Sequence, residues 1–140
     1  MNQNLIFIPM LAHMLLIFVL YIRLGIEKSK AVKAGSIDRN KTALNTKAWP
    51  ENVVKISNNI GNQFESPMLF FGLTVIYYLT NSVNEVVITL MCIYALSRYI
   101  HAYIHVTTNY VPHRFKAFFV GMLILLGLSI WQLLNLILSI

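Results

Sequence analysis

The chain has 140 residues, of which 57% are hydrophobic and 11% charged, with a mean hydropathy of +0.65. A soluble globular domain carries about a quarter of its residues as charges, so this composition excludes one. The net charge of +6 does not indicate nucleic acid either, because its eleven basic residues are confined to a few places along the chain.

A helix that crosses a bilayer needs about 20 mostly apolar residues. Four such stretches occur, at about residues 5–26, 56–79, 86–106 and 115–140, and they take up nearly the whole chain. The expected fold is therefore all-α, an integral membrane four-helix bundle in a single domain over residues 1–140. Residues 1–4 contain no Lys or Arg and the first stretch ends in bulky side chains, so it reads as a retained span and not a cleaved signal. His13 stands alone on that apolar helix and is expected to be a solitary hydrogen-bonding residue.

Residues 27–55 form the one long connection. Seven Lys or Arg there, set against Glu27, Asp38 and Glu51, leave it at +4. Two readings follow: the loop lies against anionic headgroups, or it draws an acidic, water-soluble substrate to the membrane face. Arg114 and Lys116 flank the third connection, whereas the N-terminus, the turn at 80–85 and the C-terminus carry no Lys or Arg. Cytoplasmic flanks are enriched in these residues, so the first and third connections are expected inside the cell and both termini outside.

In the second stretch Asn58, Asn62 and Glu65 are spaced by four and three, which puts them on one helical face. In the third, Arg98, His101, His105 and Asn109 recur at three, four and four. The short turn between these helices makes them antiparallel neighbours, with residues whose numbers sum to about 166 at one depth. Glu65 then falls level with His101 and near Arg98, and the two charges are expected to be partners. A charge at mid-bilayer costs about 2.5–3.5 kcal/mol on insertion scales. Either an ion pair registers the two helices, or the charges belong to a ligand site.

Cys92 has no second cysteine to pair with and reads as a small core residue. His101, His105 and His113 do not gather enough ligands for a metal, since His113 lies beyond Pro112. Trp49, Tyr110 and Trp131 read as interfacial or packing aromatics. Pro112 suits the first turn of the fourth helix and places Arg114 in that turn.

Taken in order, these residues resemble a known family. Asn62-Gln63-Phe64-Glu65, with Pro67 soon after, resembles the Asn-x-x-Glu signature of the MAPEG family, the membrane-associated proteins in eicosanoid and glutathione metabolism. Arg98-Tyr99-Ile100-His101, Pro112-His113-Arg114 and Phe118-Phe119-Val120-Gly121 are similar to the third connection and fourth helix of its glutathione transferases. The likeness is nearest to the bacterial branch, which implies an inner membrane with periplasmic termini.

The resemblance implies a homotrimer that takes glutathione as co-substrate between subunits near the cytoplasmic face, together with a small lipophilic substrate from the bilayer. Polar stripes that four helices alone do not enclose point the same way on oligomerisation. It implies Arg114 as the thiolate-stabilising residue. It implies Asn62 and Glu65 as holders of the peptide part and Arg23 as a further cationic contact. Asn58, Arg98, His101 and His105 join them as candidate ligand-binding residues. A guanidinium at a helix start would lower a thiol pKa that is near 8.5 when free. The equally simple reading of Arg114 is an anchor that snorkels to lipid phosphate.

The family's enzymes carry arginines where this chain has Asn58 and Gly61, and a tyrosine where it has His105. Two forks for carboxylates are thus missing. The expected function is a glutathione- or thiol-dependent transferase or peroxidase acting on lipophilic electrophiles. Its rival is a non-catalytic lipid-binding or scaffold protein of the same fold.

Overall fold

A computed structural model describes residues 2–138, and among them every regular element is helical. A 3-10 turn at Gln3–Ile6 leads into α1, Phe7–Lys33. The helix runs seven residues past the expected 26, because Lys28, Lys30 and Lys33 are good helix formers and the cations of its last turn suit the helix dipole. It ends at Gly35, whose φ of +63° lets Ser36 N–H reach back to the Ala31 carbonyl.

The connection is more ordered than expected. Asp38 caps a short helix α2, Arg39–Leu44, by accepting from the N–H groups of Asn40 and Lys41. A 3-10 turn at Thr46–Ala48 follows, and Lys28 lies over the Trp49 ring at 5.0 Å. The carboxylate of Glu27 accepts from Lys30 and Asn52, which ties α1 to the start of the next helix.

The expected second span is broken. It consists of α3, Glu51–Asn62, and α4, Pro67–Leu79, separated by four residues of tighter i→i+3 bonding. Pro67 has no N–H to give the Gln63 carbonyl, and its ring displaces that carbonyl, so a continuous helix cannot pass. Neither half is long enough to span alone. Among the described residues, three helices are long and apolar enough to cross a membrane: Gln3–Lys33, Glu85–Val106 and Val111–Leu138.

Asn81, with a φ of 53°, turns the chain after α4, and Asn84 caps α5, Glu85–Val106, by accepting from Val87 N–H. The helix α6, Val111–Leu138, starts with Pro112 in its first turn, as expected. The last two residues of the expected fourth span, 139 and 140, lie outside the described residues.

The break changes the register between helices. On α4, Thr74 meets Met91 and Phe70 meets Tyr94, within two of the expected sum, whereas Gln63 meets Arg98 and Asn59 meets Ala102, five short of it. The four residues at 63–66 turn the chain without advancing it along α5.

Two apolar clusters result. The larger, near the α4–α5 turn, joins Ile6, Phe70, Leu73, Tyr77, Val87, Met91, Tyr94, Leu125 and Leu128. The smaller, near the long connection, joins Leu16, Leu20, Ile56, Ile60 and Ala102. Gly121 is where α6 closes on α5, since a Cβ there would stand 3.0 Å from Ser97 Oγ and 3.3 Å from the Tyr94 ring. The outer faces are apolar: Ile8, Leu11, Leu15, Phe18 and Ile22 form an exposed stripe along α1 at spacings of three and four. This inverts a soluble helix and suits hydrocarbon.

Candidate functional site

The polar residues gather at the end of the molecule near the long connection. On α3 the apolar residues Val53, Ile56 and Ile60 mark the inward face, and Asn59 and Gln63 share it. Asn59 donates to the Ala102 carbonyl of α5 at 3.2 Å, and Gln63 donates to the Asn59 side chain at 2.9 Å. Asn59 is absent from the polar stripes of the sequence, and Gln63 enters it only as a variable position of the Asn-x-x-Glu motif. Their signal was their place on the apolar face, at a spacing of four.

Arg98 is 1% exposed, and its partner is not Glu65. Its Nη2 donates to the Asn62 carbonyl at 3.0 Å and more weakly to Gln63 Oε1 at 3.5 Å, while the guanidinium sits 5.9 Å from the Phe118 ring centre. Among the described residues the ion pairs are Lys30–Glu27, Lys41–Asp38 and Lys55–Glu51. The expected Glu65–Arg98 ion pair is therefore corrected to an attraction across a longer distance, and the cause is the break. Asn62 is the last residue of α3, so its carbonyl is one of the helix-end acceptors left without a partner. In hydrocarbon such groups must be satisfied within the protein, and a cation at a helix C-terminus also suits the dipole. Arg98 caps the interrupted helix.

Glu65 lies beyond that end on the exposed side. With Asn62, His101, Val111, Arg114, Phe115 and Phe118 it lines a cavity of about 240 Å³. An adjoining, more polar cavity of about 580 Å³ is lined by Lys55, Ser57, Asn58, Gly61, Asn62, Glu65, His105, Asn109 and Arg114. The structure thus brings Asn58, Asn62, Glu65, His101, His105 and Arg114 to one place along the two cavities.

Arg114 is half-buried in the first turn of α6. Its Nη1 donates to Asn109 Oδ1 at 2.7 Å. Asn109 was expected on the helix-three stripe, but α5 stops at Val106, and Asn109 sits beyond it with a φ of 51° and its N–H on the Ile104 carbonyl at 2.8 Å. Asparagine tolerates that left-handed backbone, and its amide is left free to hold the guanidinium. On the other side, His101 Nδ1 lies 3.1 Å from the Arg114 carbonyl, which can only accept, so Nδ1 carries the proton. The arginine is fixed by both neighbours at the junction of the two cavities.

Other expectations resolve differently. Arg23 is exposed on α1 and lines neither cavity. Cys92 is exposed and not in the core, because Met91, Tyr94 and Ala95 take the inward face of α5. His13 is fully buried against the rings of Phe70, Phe71 and Tyr94. The rings of His101 and His105 are 5.9 Å apart, and among the described residues no three His, Cys, Asp or Glu side chains are grouped to hold a metal.

No individual curated protein and no solved structure matches the chain. The sequence model of the MAPEG family matches residues 6–134, nearly its whole length. The chain belongs to the MAPEG family, and is a membrane protein of the glutathione- and eicosanoid-metabolism type.

Proposed function

We propose that this protein is a membrane-embedded, thiol-dependent transferase or peroxidase that binds glutathione in the cavities beside Arg114 and joins its thiolate to, or uses it to reduce, a lipophilic electrophile. The observation that carries this reading is Arg114 itself, held by Asn109 at the junction of two cavities and lined up with Asn62 and Glu65. A guanidinium is permanently charged, so a thiol placed beside it ionises more readily and becomes nucleophilic at neutral pH. Asn62 and Glu65 offer an amide and a carboxylate for the peptide bonds and ammonium of the ligand. Glutathione acts here as a co-substrate, and the acceptor arrives from the bilayer.

The same reading places α3 and α4 as two halves of one broken passage, giving a four-helix bundle with the 34–50 connection cytoplasmic and both termini periplasmic, in a bacterial inner membrane. The Lys and Arg asymmetry supports this orientation. Single cysteines at Ser36 and Ser139, in a Cys92→Ser background, should react with an impermeant reagent from opposite sides; reaction from one side overturns it. Three copies would close the open sides of the cavities. A monomeric native mass in mild detergent, with structure retained, would contradict the trimer.

A non-catalytic, fatty-acid-binding role is the second reading. It is favoured by an apolar groove of about 380 Å³ between α1 and α5, lined by Ile8, Pro9, Ala12, Cys92, Ala95, Leu96 and Tyr99. Thermal unfolding of the solubilised protein separates the two, since a ligand stabilises only the fold that binds it. Stabilisation by glutathione that is lost in Arg114→Ala supports the transferase. Stabilisation by fatty acid alone supports the binding protein.

A further inference from the structure

The larger cavity is lined by two cations, and thiol activation uses only Arg114. Lys55 is the other. Lys55, Asn58 and Asn62 recur at three and four on α3, so they share one face and cover about 10 Å of the cavity wall. An extended tripeptide has about the same length, at roughly 3.3–3.6 Å per residue. Asn58 and Gly61 bring no charge to this wall, so Lys55 is the cation available at its outer end.

The Lys55 side chain is only 24% exposed, while its partner Glu51, 2.7 Å away, is 81% exposed. An ion pair with one member open to water contributes little and exchanges readily. Glu65, at the inner end, repels a carboxylate and favours an ammonium. The α3 side of the cavity thus carries a cation at Lys55 and ends toward Glu65, with Arg114 contributed by α6 beside that carboxylate.

We propose that Lys55 is the carboxylate-binding residue of this cavity, that Glu51 occupies it in the empty site, and that an incoming thiol with a terminal carboxylate displaces Glu51. This rests on the reading of the cavity as a thiol site and narrows it: the preferred co-substrate is a carboxylate-bearing thiol, and Glu51 is an internal competitor that weakens its binding.

Calorimetric titration of the full-length, detergent-solubilised protein tests this with two probes, glutathione and its glycyl monoethyl ester. Lys55→Met should weaken glutathione binding about tenfold, the usual scale for one charge-assisted hydrogen bond. Lys55→Arg should restore it, and Glu51→Gln should tighten it several-fold by removing the competitor. The ester should bind wild type about as weakly as glutathione binds Lys55→Met, and should not respond to that substitution. Unchanged affinity in the Lys55 and Glu51 variants, with loss in Arg114→Ala, overturns the role of Lys55 and leaves the thiol site standing. Equal loss of both probes in Lys55→Met reduces Lys55 to a structural residue. No binding of glutathione to wild type removes both proposals.

Discussion

The two ends of the molecule are built on the same helices and held together differently. Near the α4–α5 turn, nine buried residues from Ile6 to Leu128 pack as one apolar cluster, and the few polar links, such as Tyr77 O–H to the Leu128 carbonyl at 2.8 Å, join helix to helix. Near the long connection the apolar cluster shrinks to five residues, and Arg98, Asn59, Gln63, His101 and His105 are buried beside it. Lipid competes for apolar surface as well as a helix does, so the first end depends on close fit. The second end depends on hydrogen bonds that replace those of an interrupted helix. What the interruption gains is position: Glu65, past the break, lies along the cavities with Asn62 and Arg114.

The strongest way to break this comparison is to remove Arg98. Arg98→Leu should leave the Asn62 carbonyl buried without its donor and cost about 3 kcal/mol, combining an unsatisfied acceptor with a loss of packing. Glu65→Gln should change stability by less than about 0.5 kcal/mol, the level of an exposed site. Unfolding of the single and double variants in mixed micelles measures both. A large coupling energy between Glu65 and Arg98 would restore the ion pair and contradict the capping role.

At the apolar end, Gly121→Val should cost about 2 kcal/mol, because the added carbons meet Ser97 and the Tyr94 ring. Gly127, where an added Cβ meets nothing within 4 Å, is the control, and Gly127→Val should be close to neutral. Equal effects in the same unfolding experiment would show that the close approach of α5 and α6 does not matter. Neither change should alter ligand affinity, if the two ends divide labour as described.

Much of this was legible in the sequence. Apolar length located three of the four expected spans, Pro112 located the start of α6, and the short turn set α4 beside α5. Two kinds of feature were not. Spacing groups Asn58, Asn62 and Glu65 correctly along one cavity but does not give the direction they face, which Pro67 and the inward Val53, Ile56 and Ile60 of α3 decide. The role of Asn109 was hidden because spacing alone put it on α5; only a positive φ beyond the helix end makes it the holder of Arg114. Both gaps arise where the backbone leaves the regular helix, and both fall at the candidate site.

The most direct test of that site is the ionisation state of bound glutathione, followed by the ultraviolet absorbance of its thiolate and by proton release on mixing at neutral pH. Wild type should form the thiolate. Arg114→Lys, which keeps the charge and loses the fork, should form about tenfold less, and Asn109→Gly, which keeps the left-handed backbone and removes the amide, should fall between the two. Bound glutathione that stays a thiol in wild type, or a thiolate that persists undiminished in Arg114→Ala, would contradict the assignment of Arg114 as the group that activates the thiol.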